Sequence, residues 1–424
     1  MYGMILWTTA LLTVTFLWYT RLREIRRARH RPVPLAANTY DGPPSGAPLV
    51  SVLMAAKDEE TCIEPAVRSL LGQDYPHFEL IVIDDRSRDR TPRILEQLKS
   101  DDVTGRLRIL RIAELRPGWF GKNNAMREGV AAARGEWLCF CDADCLQTSD
   151  RTLSMAVRHA TQWKLDFLSL LPRMEMRGFW ERVVQPVACA IIALWFNPKR
   201  VNDPRSPVAY ANGAFMVMSR HCYDAIGGHA AVRTEVNEDI HMARRAKQAG
   251  QRLYVCRNVD LYTVRMYASL GAMWRGWSRI FYGCLAGSWA ITLTALTLLV
   301  MSILPHVSLV TATAVLLIGR PAAWGPWSAC AVSAGLAVAA QWLVIARLHR
   351  LNGTDPRLAP AFVVGAVLCL GMLINSLLKL GGWSTVTWRG TRYRGQEVVA
   401  APDQTAPQTS TPALTAPVEQ PVRR

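Results

Sequence analysis

Acid is the minority charge in this 424-residue chain: 33 Asp and Glu stand against 49 Lys and Arg, a formal net charge of +16. Half of the residues are hydrophobic. An acid-poor and apolar-rich chain fits a membrane protein with a basic face better than a soluble nucleic-acid binder, and it favours anionic partners. Regular cysteine spacing is missing. Ten cysteines are scattered through the chain, and the cluster Cys139, Cys141 and Cys145 has no second ligand pair. That argues against a zinc site and leaves reduced, buried thiols as the plainer reading. The marks of a secretory signal are missing from the opening run as well. The opening run "MYGMILWTTALLTVTFLWYT" is long enough to span a bilayer but has no basic flank before it and no small-residue cleavage site.

The segments that are present set the organisation. Residues 1–20 read as a retained transmembrane anchor. Residues 21–48 begin with "RLREIRRARHR", six arginines against one glutamate, and continue into a Pro/Gly linker. The arginines place the downstream domain in the cytoplasm. Residues 49–270 read as a soluble α/β domain and 271–283 as a membrane-interface segment. Residues 284–380 form a second membrane region, with apolar runs Cys284–Leu304, Val307–Ile318, Trp327–Ala346 and Ala361–Leu378. Four crossings there return "TWRGTRYRG" to the cytoplasm and leave the basic loop Arg347–Arg357 outside; three crossings reverse both. The arginines beside Trp388 favour a cytoplasmic 381–424, with a Pro/Thr/Ala-rich tail past Gln396 expected to be disordered. Asn352-Gly353-Thr354 fits a glycosylation acceptor and is read as chance. The run "VVQPVACAIIALWF" (Val183–Phe196) is too short to span and contains Pro186; it either dips into the interface or forms a buried helix.

Inside the soluble domain, "PLVSVLMAA", "FELIVIDD", "LRILRI" and "EWLCFCDAD" are apolar strands separated by helical stretches such as "GKNNAMREGVAAARG". Strands alternating with helices make an open, mainly parallel sheet, and such sheets bind ligands beyond the carboxyl ends of their strands. Asp58, Asp85, Asp142 and Asp144 all fall at those ends. Asp142 and Asp144 lie two apart, so in extended geometry both face one side. A pair of that kind suits a hard divalent cation, Mg²⁺ or Mn²⁺, whose shell is completed by substrate phosphates. Glu238 and Asp239 begin a predicted helix, where the dipole favours acids even without chemistry.

The motifs "VSVLMAAKDEE", "LIVIDDRSRDRT", "GKNNAMREG", "CDAD" and "NEDIHMARRAKQAG" together resemble family-2 glycosyltransferases of the GT-A fold over roughly residues 49–280. With the N-terminal anchor, "RMYASLGAMWRGWSRIFYG" and the C-terminal hydrophobic block, the resemblance is to members that glycosylate membrane lipids of the ceramide, carotenoid and hopanoid type. The resemblance implies a GT-A nucleotide-sugar-binding domain flanked by transmembrane helices. It implies a metal-dependent, inverting, hexosyltransferase-type enzyme in a bacterial inner membrane that moves a sugar from a nucleotide-diphosphate sugar, of the UDP type, to a lipid, with no nucleic-acid partner. It assigns Asp58 and Asp85 to the nucleoside, Lys122 and Asp142 to the donor, Asp142 and Asp144 to the metal, and Asp239 to the catalytic base. Glu238, Trp274, Arg275 and Trp277 fall to the acceptor and diphosphate region. Processive polysaccharide synthases of this family carry Gln-x-x-Arg-Trp. Here no glutamine lies three residues before Arg275, and Gly276 separates it from Trp277, which argues against processivity. A transporter with a regulatory domain is the other alternative; the membrane runs show no internal repeat or charge relay to support it.

Overall fold

A computed structural model describes residues 2–27, 34–285, 287–319, 324–351, 353–381 and 383, and the backbone of 386–388, 391–394 and 397–400. Helix α1 (Tyr2–Arg27) precedes the α/β domain. That domain runs β1 (Leu35–Ala36), β2 (Val50–Ala56), α2 (Ile63–Leu71), β3 (Phe78–Asp85), α3 (Thr91–Asp101), β4 (Leu107–Ile112), α4 (Gly121–Ala132), β5 (Trp137–Cys141), β6 (Cys145–Gln147), α5 (Thr152–Gln162), β7 (Phe167–Leu171) and β8 (Arg173–Met174). It continues through α6 (Phe179–Trp195), α7 (Pro198–Val201), β9 (Phe215–Ser219), α8 (Arg220–Ala225), α9 (Glu238–Gln248), β10 (Leu253–Val259), β11 (Tyr262–Val264) and α10 (Leu270–Cys284).

Eight strands form the main sheet in the order β1-β10-β7-β9-β5-β2-β3-β4, parallel except where β9 enters between β7 and β5. The strands read as apolar runs because both faces are covered: every residue of β3 is buried. Glu79, on that strand, accepts hydrogen bonds from Ser51 (2.7 Å), Arg108 (3.0 Å) and Arg134 (3.1 Å), which satisfies an otherwise costly buried charge. One core layer lies under α2, α3 and α5, the other under α4, α8 and α9. β1 adds an edge pairing to β10 from a stretch that composition alone marks as linker.

The membrane region differs from the sequence reading in two places. Ser288–Ile318 is one helical stretch of 31 residues, not two runs broken at Pro305. It comprises α11 (Ser288–Leu298), a π-helical segment Leu299–Ile303 and α12 (Leu304–Ile318). The wider π turn lets the helix continue past a proline that lacks an N–H donor. Helix α13 (Trp324–Leu351), a 3₁₀ turn Pro356–Ala361 and α14 (Phe362–Leu380) complete the region, giving three long apolar stretches after α10 among the described residues. Second, the "VVQPVACAIIALWF" run starts earlier, at Phe179, where the Glu181 carboxylate accepts the N–H groups of Arg177 (2.7 Å) and Gly178. With α7 it makes a 23-residue stretch long and apolar enough to cross a membrane. α6 buries one face against α14; a Cβ at Gly365 would stand 2.3 Å from the Val183 carbonyl oxygen, so only glycine permits that approach.

Past the last helix, β12 (Val386–Trp388), β13 (Thr391–Arg394) and β14 (Glu397–Ala400) pair antiparallel. Glu397–Ala400, expected to be disordered, is therefore a strand, in keeping with its two valines. The remaining tail, 401–424, and Asn352 lie outside the described residues.

Candidate active site

The site grows from the carboxyl ends of β2, β3 and β5. After β2 the backbone turns at Asp58, which adopts φ 55°. Its N–H donates to Ser87 Oγ (3.0 Å) and its carboxylate accepts the Arg88 N–H (2.7 Å), so Asp58 ties the loop after β2 to the loop after β3. Asp85 ends β3, buried, with Arg86 bidentate on it at 2.8 and 2.9 Å. Helix α4 begins directly over this carboxylate. A Cβ at Gly121 would sit 2.5 Å from Asp85 Oδ2, which explains the glycine.

The next residue, Lys122, reaches into the centre. Its Nζ lies 2.6 Å from Asp142 Oδ1 and 2.7 Å from Glu238 Oε1. Burial pushes this ammonium down, but the two carboxylates outweigh it and hold Lys122 well above its ordinary value. Glu238 is held low by the same lysine despite its own burial. One cation thus joins the DxD loop to the start of α9.

Asp144 stands on the other side of Ala143, against a cleft of about 100 Å³ lined by Lys57, Glu59, Asp85, Lys122, Asp142 and Asp144. Burial, then repulsion from Asp142 and Glu59, pushes its carboxyl up to about 7. Crowded carboxylates of this kind are relieved by a cation. Among the described residues no three His, Cys, Asp or Glu side chains form a metal cage. Two carboxylates beside open space fit Mg²⁺ or Mn²⁺, which keep positions for phosphate and water, better than a fully caged ion. Cys139 and Cys145 are buried free thiols, and burial holds both well above their ordinary values.

Asp239 occupies the first turn of α9. Its Oδ2 accepts the Gly213 N–H and its Oδ1 the Ile240 N–H, each at 2.8 Å. Burial, then the neighbouring Glu238, pushes it up to about 7. Gly213 lies between Asp239 and Lys122: a Cβ there would be 3.3 Å from Lys122 Nζ and 3.4 Å from Asp239 Oδ2. Asn237 fastens the start of α9 to α10, donating to Ile280 O (3.2 Å) and Cys284 Sγ (2.8 Å).

From these groups a cavity of about 740 Å³ extends along α6 and α10. Pro186, Ile192 and Phe196 of α6 and its C-terminal end give it an apolar wall, and Trp277 closes one side, donating to Gln185 Oε1 at 2.5 Å. Of Trp274, Arg275 and Trp277, only Trp277 lines this cavity. Trp274 packs over Gly371 of α14, and Arg275 is solvent-exposed, so neither faces the site where sequence reading put them. The cavity-facing arginine of α10 is Arg279, one helical turn later. Tyr210 and Asn212 also line the cavity and were not anticipated. The only sequence sign of them is Asn212-Gly213, a turn dipeptide just ahead of β9.

Residues 51–240 match the model of Glycosyl transferase family 2. The chain is 29% identical over 185 residues to Beta-monoglucosyldiacylglycerol synthase of Trichormus variabilis, covering 43% of this chain and 38% of that protein. It is 31% identical to the synthase of the same name from Synechocystis sp., covering 43% and 37%. Against 4,4'-diaponeurosporenoate glycosyltransferase of Staphylococcus aureus it is 21% identical over 238 residues, covering 54% and 60%. The match spans less than half the length of the two synthases. A solved mannosyltransferase from Pyrobaculum calidifontis, in complex with GDP-Man and Mn²⁺, superposes with a TM-score of 0.51 at 18% identity, over 87% of this chain and 99% of that one. The GT-A-like sheet expected from sequence is borne out.

Proposed function

We propose that this chain, whose residues 51–240 match the Glycosyl transferase family 2 model, is an inverting, metal-dependent transferase that moves a sugar from a nucleotide-diphosphate sugar, of the UDP type, to a hydroxyl of a membrane lipid. One observation carries the reading. A single cavity joins the Lys122, Asp142, Glu238 and Asp239 cluster to an apolar wall supplied by α6, itself apolar enough for a membrane. A water-soluble donor and an amphiphilic acceptor need such a passage. The relatives whose names specify monoglucosyldiacylglycerol and 4,4'-diaponeurosporenoate support the lipid assignment.

In this reading Asp58 and Asp85 shape the nucleoside side, and Lys122 presents a compact positive charge to the diphosphate. A Mg²⁺ or Mn²⁺ ion held by Asp142 and Asp144 would neutralise charge on the leaving diphosphate. The acceptor oxygen bonds to the anomeric carbon as the bond to the diphosphate breaks, and Asp239 takes the acceptor's proton. Attack opposite the leaving group inverts the anomeric centre. The catalytic domain sits on the cytoplasmic face of a bacterial inner membrane, as the arginine cluster that begins at Arg21 favours.

The test is transfer itself. Purified full-length protein in lipid nanodiscs is incubated with labelled nucleotide sugars, native lipid extract and Mg²⁺ or Mn²⁺. Label should enter the organic phase, and chelator, Asp142→Asn or Asp144→Asn should each abolish it. Full transfer in chelator, or in both variants, would remove the metal role; no transfer with any donor would remove the proposal.

A further inference from the structure

The cavity has a second end, remote in chemistry from the carboxylates. The end of strand β10 lines it: Arg257, Asn258 and Val259, with Val255 earlier in the strand and Asp260 just past it, all border the cavity. Arg350 and Leu351 at the end of α13, and Gly353 just beyond, line the same mouth. Gly353 approaches the domain closely, since a Cβ there would be 3.8 Å from Arg173 Nη2. A membrane helix therefore ends against the catalytic domain and contributes a charge to its cavity.

The charges at this mouth do not cancel. Asp260 is ion-paired with Arg173, and the nearby Asp355 accepts the N–H of Arg357 at 2.9 Å. Arg257 and Arg350 are exposed and make no ion pair or side-chain hydrogen bond among the described residues. A cation where a helix leaves a membrane has a general explanation in charge bias and the helix dipole. That accounts for Arg350. It does not account for Arg257, which borders the cavity from a strand in the other layer of the molecule.

We propose that this end of the cavity is a subsite for the phosphate of an anionic lipid headgroup, held between Arg257 and Arg350. Guanidinium forks match phosphate oxygens, and the apolar wall of α6 in the same cavity offers a path for the lipid's chains. The subsite rests on the reading that the domain docks on a membrane, but it does not depend on sugar transfer.

The experiment uses full-length protein in neutral detergent without nucleotide sugar, and tracks the thermal midpoint against three probes: dihexanoyl-phosphatidylglycerol, dihexanoyl-phosphatidylcholine and inorganic phosphate. Phosphatidylglycerol should raise the midpoint of the wild type and of Arg347→Gln, a nearby arginine outside the cavity lining. The Arg257→Gln/Arg350→Gln double variant should bind it about tenfold or more weakly, as expected for two lost interfacial arginines. If the double variant is less stable without ligand, the two single variants, each several-fold weaker, give the same reading. Wild-type affinity in the double variant, equal binding of phosphatidylcholine, or equal binding of inorganic phosphate would overturn the headgroup subsite. Because no donor is present, such a failure leaves the transferase reading intact, and absent transfer with intact lipid binding strikes that reading alone.

Discussion

At the residue scale the proposed chemistry turns on two half-buried groups, Lys122 and Asp239. Lys122 bridges Asp142 and Glu238 at 2.6 and 2.7 Å, so the free site carries its own counterion. Asp239 is different: its two backbone hydrogen bonds favour the carboxylate, but burial and Glu238 outweigh them and raise its pKa. A base must be deprotonated to work. Turnover should therefore be low in acid and rise with pH through the region near 7, rather than near the 3.8 of an ordinary aspartate. Asp239→Asn should cut kcat by about 10² to 10⁴ with donor affinity nearly unchanged, and should remove that rising limb. Lost donor affinity with surviving turnover would make Asp239 a binding residue. The strand-end acids were legible in the sequence because strands covered on both faces read as continuous apolar runs, and the acids stand where those runs stop. Arg279 was not legible. A run of Trp and Arg shows that a helix has a functional face but not its rotational phase, and packing against Gln185 and Gly371 sets that phase.

At the scale of elements, α6 and α10 line the cavity and α14 packs behind both. α10 is bound to α6 through Trp277 and Gln185, and to α14 through Ser278, whose carbonyl accepts from Ser376 at 2.8 Å. Its C-terminal end holds Asn237, next to Glu238 and Asp239. The acids' position therefore depends on how the apolar helices pack. Gly365 marks a close crossing, with α14 against the Val183 carbonyl. Gly365→Val should lower stability by about 1–3 kcal/mol, the usual cost of overpacking, and lower turnover with it. Thermal unfolding in detergent reads the first effect, and an unchanged midpoint would show that α6 and α14 do not pack as described. The sequence concealed two of these elements for different reasons. Pro305 suggested a break that the π turn Leu299–Ile303 absorbs, and the start of α6 hides in "RGFWE", where Glu181 serves its own helix start instead of the surface.

At the scale of the molecule, the loop after α13 stands beside the catalytic domain, with Gly353 near Arg173. With three apolar stretches after α10, that placement favours a basic loop on the cytoplasmic face and sets it against the cytoplasmic tail that the arginines beside Trp388 suggested. Cysteines engineered at Thr354 and Thr391 separate the two. A reagent that cannot cross the membrane should label Thr391→Cys in intact cells and Thr354→Cys only after permeabilisation; the reverse pattern would mean an even number of crossings.

The stereochemistry of transfer tests the central claim most directly, because one base at Asp239 and one displacement permit a single outcome. Glycolipid made by the purified protein from an α-linked nucleotide sugar is isolated and its anomeric coupling measured by NMR. The account predicts a β-linked product, formed by the wild type and reduced about 10² to 10⁴-fold in Asp239→Asn. An α-linked product would contradict it, since one displacement from the face opposite the leaving diphosphate inverts the anomeric centre.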